Sequence, residues 1–317
     1  MNGFDTEFHD LDHYIRVITD RIWEGRRLED IRRYYGQDCA VETPSSVSIG
    51  IDPVIEGTRK TLLAFPDRRL LAEDVIISGD DEQGYLSSHR IFSPMTHAGP
   101  GAFGPATHRP VHVRTVADCV CLNNRIIHEW LVRDQAAIAR AIGRHERDVA
   151  QDWVDAAGGW NKPPMPPAPA PYRSYVETAG AGADAAQAWM EGLRRPSFTQ
   201  ASVAPDIISG LPGGEVAVGA AAREVFWRGL LQALPAPEVA IEHLASVPRP
   251  GRATAVAMRW RYTALHTGAG RYGAPTGRPV QILGITHLEI ESGAIAREWV
   301  LIDEVANWMQ LLTPRTA

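Results

Sequence analysis

The chain has 317 residues, 44% hydrophobic and 22% charged, enough for two domains at roughly 150 residues each. Its 32 basic against 38 acidic side chains leave a net charge of -6, a field that repels phosphate backbones and anionic lipid and argues against nucleic acid or a membrane surface as partner. No apolar run approaches the ~20 residues of a membrane span, and the polar, acidic start MNGFDTEFHDLDHY lacks a signal-peptide pattern, so a cytoplasmic protein is expected.

Tyr14, Val17, Ile18 and Ile22 at helical spacing predict an amphipathic helix over 11–23, followed by a shorter one over 28–35. A third helix is expected over 58–64, stopped by Pro66. Alternating and β-branched positions then predict strands over 70–78, 84–92, 109–122 and 125–132, with turns at Asp80-Asp81 and Asn123-Asn124. Cys119 and Cys121, two apart on the third strand, share a face and read as reduced core thiols; they lack the spacing of a zinc pair. A short helix over 135–143 closes this set. After the proline-rich stretch GGWNKPPMPPAPAP (158–171), which reads as a semi-rigid spacer, the order returns: a helix over 223–234, strands over 240–247, 253–265, 278–290 and 294–301, and a helix over 304–312.

The recurrence is also one of sequence. Shifting the chain by 169 residues aligns 50–134 with 219–303 without a gap, and 19 of the 85 positions are identical. The identities cluster in His97–Val111 against His266–Val280, and in Ile126–Asp134 against Ile295–Asp303. This predicts a tandem duplication: domain 1 over 1–150, a Gly/Pro-rich linker over 151–172 and domain 2 over 173–317. Helices followed by a meander of long strands indicate an α+β class, a curved antiparallel sheet folded around helices as a cone with a pocket inside.

Gly99-Pro-Gly-Ala-Phe-Gly104 and Gly268-Ala-Gly-Arg-Tyr-Gly273 match the G-x-G-x-x-G spacing, but each leads into a strand rather than a helix, so they read as loops between strands and not as dinucleotide sites. His97 and His266 recur where a strand enters that loop. They either satisfy loop groups or stand at a pocket rim, where imidazole can hydrogen-bond a substrate or carry a proton. Asp134 and Asp303 each follow a tryptophan by four residues, at the end of the last strand. Beside large apolar groups a carboxylate becomes a proton acceptor suited to enolisation; the other reading is an N-cap of the closing helix. Trp130 and Trp299 read as core or pocket wall, and His287 replaces Asp118 in the alignment. His108 and His112 lie about 13 Å apart on a strand, too far to share a metal. No G-x-S-x-G elbow for a serine hydrolase occurs.

The His–glycine-rich–Thr-x-Arg-Pro-Val loop, the Ile-x-x-Glu-Trp-x-x-x-Asp ending and Leu63-Ala-Phe-Pro-Asp67 together resemble the SnoaL-like polyketide cyclase group of the NTF2-like superfamily, over 10–145 and again over 183–314. The resemblance implies two cystatin-like α+β cones packed as an intramolecular pseudo-dimer, with further homodimerisation open. It also implies aldol ring closure of a small apolar carbonyl compound without metal or cofactor. Carried over, the acid/base residues are Asp134 and Asp303 with His97 and His266 in support; Trp130, Trp299 and His287 are expected to line the substrate pocket. Asp67 has become Ala236 in the second copy, so the two halves need not be equally active. The competing reading is a tandem protein that binds small molecules without catalysis, since a cone supplies a pocket whatever its chemistry.

Overall fold

A computed structural model describes residues 1–168, 175–195 and 203–313. It divides into two compact units, one of Met1–His145 with residues 161–168, the other of Glu146–Trp160 with the described part of Tyr175–Ala317.

In the first unit, α1 (Leu11–Thr19) starts at Asp10, whose carboxylate accepts the backbone N–H of His13 at 2.8 Å. A π-turn over Asp20–Glu24 extends it, and α2 (Ile31–Tyr34) follows. Next come β1 (Tyr35–Glu42), β2 (Val47–Ile49) and α3 (Ile51–Ala64). Pro53 sits in the first turn of α3, where its missing N–H would have had no intrahelical partner anyway. The strands β3 (Leu71–Asp80), β4 (Gly84–Thr96), β5 (Pro110–Leu122) and β6 (Arg125–Arg133) form the predicted meander, and α4 (Gln135–Ala141) closes it. The sheet order is β2-β1-β6-β5-β4-β3. The pairing of β1 with β6 is parallel, so the sheet is mixed rather than purely antiparallel.

The helix α5 (Glu146–Ala157) belongs to the second unit and packs on its last helix. That unit continues with β7 (Tyr175–Val176), α6 (Ala181–Leu193), β8 (Val203–Leu211), β9 (Glu215–Val218) and α7 (Ala220–Ala233). It ends with β10 (Glu238–Val247), β11 (Thr254–Leu265), β12 (Pro279–Glu291), β13 (Ala294–Leu301) and α8 (Glu304–Leu312). Read in the opposite sense, the sheet order β7-β10-β11-β12-β13-β8-β9 repeats the first with β7 added at the edge beside β10, and β8 is parallel to β13.

Each curved sheet is covered on one face by its helices, and the two cores are filled differently. In the first, Tyr14, Ile18, Ile22 and Tyr34 from the helices meet Cys39, Ala117, Cys119 and Cys121 of the sheet. All three cysteines are buried free thiols. In the second, Trp189, Trp227 and Trp260 occupy the centre, with Trp189 edge-on to Trp227 at 5.2 Å and tilted against Trp260 at 5.5 Å. Each such ring removes roughly 150–250 Å² from water. No described helix is long and apolar enough to cross a membrane.

Candidate functional site

The repeated carboxylates sit at helix starts. Asp134 accepts the N–H of Ala137 at 3.0 Å and caps α4; Asp303 accepts that of Ala306 at 3.2 Å and caps α8. Both are buried.

The repeated histidines staple the glycine-rich loop. In each unit the ring Nδ1 lies 3.1 Å from a threonine Oγ1, His97 with Thr107 and His266 with Thr276. The same histidines bond through the backbone to Arg109 and Arg278 across the loop neck. Burial lowers both imidazole pKa values, so the rings are neutral near pH 7. The loop glycines are set by close approach: a Cβ on Gly99 would stand 2.0 Å from the Leu63 carbonyl oxygen, and one on Gly268 1.8 Å from that of Gln232. The G-x-G-x-x-G spacing thus serves to dock a loop on the end of α3 or α7. None of the hydrogen bonds of His97 or His266 goes to Asp134 or Asp303.

Alternation along β6 puts Trp130 on the face opposite Glu129. Likewise Trp299, which stands opposite His287 in register, faces away from Glu298. The glutamates are the residues that point under the helices. In the second unit Glu298 is neutralised: Arg223 donates Nε to Oε1 at 2.5 Å and Nη2 to Oε2 at 3.0 Å. Ser209 and the Trp189 indole add bonds of 2.8 and 2.9 Å. In the first unit alignment puts Val54 in place of Arg223, and Val41 is the cross-strand neighbour of Glu129 where Ser209 is that of Glu298. Glu129 is 4% exposed, and its one side-chain hydrogen bond among the described residues comes from Tyr35 Oη, at 2.9 Å. Burial pushes its carboxyl up to about 7, opposed by the Tyr35 bond and the charge of Arg133. The Tyr35 phenol and the thiols of Cys39, Cys119 and Cys121 are all raised by burial and stay protonated, so no nucleophilic thiolate stands beside Glu129.

The same face carries polar atoms that are buried without hydrogen-bond partners: Tyr14 Oη, His89 Nε2, Ser93 Oγ and Thr115 Oγ1. His89, Ser93 and Thr115 share the face of Cys119 by strand register. Buried polar atoms are nearly always paired, and a row of unpaired ones requires an explanation. Among the described residues no group of three or more His, Cys, Asp or Glu converges as metal ligands would. An open cleft of about 520 Å³ lined by Gly251, Arg252, Thr254 and Glu291 lies at the far end of β11 from His266 and touches none of these groups.

Glu129 was visible in the sequence as one of the clustered identities, within Ile-x-x-Glu-Trp, but no role attached to it there. Tyr35 and the orphaned Thr115 and Ser93 carry no pattern that would have marked them.

With this geometry in place, comparison with known proteins identifies the chain. The family model of the SnoaL-like polyketide cyclase matches twice, over residues 14–142 and 183–311. The chain therefore belongs to the SnoaL-like polyketide cyclase family, as a tandem duplication with two NTF2-like α+β domains. A SnoaL-like protein of Jannaschia sp. CCS1 is 20% identical, covering 41% of this chain and 88% of its own, with a TM-score of 0.37. IdmH of Streptomyces antibioticus is 19% identical over 43% of this chain and 99% of its own, with a TM-score of 0.38. A SnoaL-like polyketide cyclase of Agrobacterium tumefaciens is 19% identical over 43% of this chain and 100% of its own, with a TM-score of 0.36. No protein with a curated description matches.

Proposed function

We propose that the first unit performs cofactor-free acid/base chemistry on a small carbonyl compound, an aldol cyclisation or isomerisation, with Glu129 as the base and Tyr35 as its hydrogen-bonding partner. The supporting observation is a buried carboxyl pushed up to about 7 with a phenol as its one side-chain hydrogen-bond donor, since a base works best when its pKa lies near the working pH. Ionised Glu129 takes a proton from the carbon beside a carbonyl. The enolate carbon attacks a second carbonyl of the same molecule, and the resulting alkoxide recovers the proton from Glu129. Tyr35 steadies the carboxylate throughout, and the unpaired His89 and Tyr14 groups supply donors for the developing oxyanion.

The second unit acts as a structural or binding half. Its equivalent carboxylate is tied to Arg223 and its centre is filled by tryptophans. On this reading Asp134 and Asp303 serve as caps, and His97 and His266 as loop staples.

The test is deuterium exchange alpha to the carbonyl of a methyl ketone, followed by NMR, with wild type, Glu129→Gln and Asp134→Asn. Loss of exchange in E129Q with retention in D134N supports the assignment. The reverse pattern returns the base role to Asp134, and no exchange in wild type leaves binding without catalysis as the function.

A further inference from the structure

Arg68, in the turn between α3 and β3, is buried, and its guanidinium makes no hydrogen bond or ion pair with any described residue. Glu24, the acid that acts electrostatically on it, is engaged elsewhere: Oε2 accepts from Arg69 Nε at 3.1 Å and Oε1 from the Leu70 N–H at 2.6 Å. Two further cations stand close. Arg26 donates to the backbone carbonyls of Pro66 and Arg68 at 3.0 and 2.8 Å, and Arg133 is near enough to act electrostatically on both Arg68 and Glu129. An arginine keeps its proton even when buried, so three positive groups act on one another here and no carboxylate pairs with the Arg68 guanidinium. A cation so largely removed from water and without a carboxylate partner is stabilised by an incoming anion.

Two of the orphaned hydroxyls lie at the same end of the sheet. Thr115 stands directly opposite Arg133 in the β5–β6 register, and Ser93 is two residues from Ile91, the β4 partner of Thr115. Both are buried donors without acceptors. The second unit has lost the arrangement: the shift of 169 places Pro237 at Arg68, Gly284 at Thr115 and Ile302 at Arg133. The unpaired cation is thus confined to the unit whose glutamate is not neutralised by arginine.

We propose that Arg68, with Thr115 and Ser93, binds the carboxylate end of an elongated keto acid whose carbonyl reaches Glu129. This rests on the assignment of Glu129 above and adds the substrate class. Arg133 and Glu129 are four residues apart on one strand face, about 13 Å, so the carboxylate and the reacting carbon are separated by a chain of roughly eight to ten atoms. The guanidinium presents a fork that fits a carboxylate, and the two hydroxyls donate to its remaining lone pairs.

The experiment is calorimetric titration of the full-length protein with 9-oxodecanoate and with its uncharged amide, alongside NMR of α-proton exchange in the same ketone. Wild type is expected to bind the acid about tenfold or more tighter than the amide. Arg68→Leu should abolish that preference, Thr115→Val should weaken it, and Glu129→Gln should keep it while losing exchange. Equal binding of acid and amide to wild type, or a preference that survives in R68L, overturns the proposal. Selective binding of the acid with no exchange would instead overturn the catalytic reading and leave this site standing. Thermal unfolding guards against misfolding: R68L removes an uncompensated charge and should melt at or above the wild-type temperature. A fall of more than about 5 °C would make Arg68 a structural prop and also overturn the proposal.

Discussion

Arg223 and Glu298 form a two-point ion pair, 2.5 and 3.0 Å, with both side chains all but sealed from solvent. Removing one member leaves the other charged and buried, so Arg223→Ala is expected to cost about 3–5 kcal/mol. The double change Arg223→Met with Glu298→Leu should cost far less. Urea unfolding of wild type and the two variants checks this, and a double mutant as unstable as R223A would show that the pair itself contributes the stability.

Glu129 ties stability to pH. Its folded carboxyl titrates at about 7 against 4.5 for an ordinary glutamate, so between these values the folded chain binds the proton that the unfolded chain has released. Stability therefore falls as pH rises through this window and levels off above it. At about 1.4 kcal/mol per unit, the loss is of order 3 kcal/mol. Glu129→Gln should flatten this part of the curve and be the more stable protein at pH 8, as denaturant midpoints from pH 4 to 8 will show.

Tyr35→Phe removes the hydrogen bond that opposes burial at Glu129. The carboxyl should then titrate higher still, and the acidic limb of any activity profile should move with it. The carboxyl stretch in difference infrared spectra reports the shift, and an unmoved or lowered titration would separate Tyr35 from the site.

Asp134→Ala and Asp303→Ala each lose an N-cap and should destabilise by about 1 kcal/mol, up to about 2, while the asparagine variants, which still cap, should lose little. Chemical denaturation measures this. If asparagine destabilised as much as alanine, the cap would not be the source of the effect.

Gly99→Ala and Gly268→Ala should each cost about 1–3 kcal/mol or more, because the new methyl meets a backbone carbonyl that cannot yield without shifting the helix end. Melting temperatures close to wild type in both would mean that the loop can move away.

The long strands, the closing helices and the duplication were legible because period-2 alternation, turn residues and the shift of 169 all point the same way. What stayed hidden has local causes. The start of α3 was masked by Pro53 and Gly57, tolerated in the first turn and on an open face. The strand β1, YGQDCAVE, has polar residues at its centre and owes its place to pairing with β6. The capping bond of Asp134 could not be read from residue type, because an aspartate that caps looks like any other at the end of a strand until the N–H of Ala137 is seen bonded to it. Glu129 was hidden by a different cause: its environment is set by Tyr35, 94 residues away.

The placement of α5 bears on how the two copies can be handled. It precedes the proline segment in the chain yet packs on α8, while Lys162, beyond it, is pinned 2.6 Å from Glu42 in the first unit. The chain therefore crosses between units three times, and a cut at Gly158-Gly159 does not separate one repeat from the other. A protein nicked there should run as two bands on a denaturing gel but elute as one particle from a sizing column, and a gene divided at that point would yield one half missing a helix and another lacking its anchor.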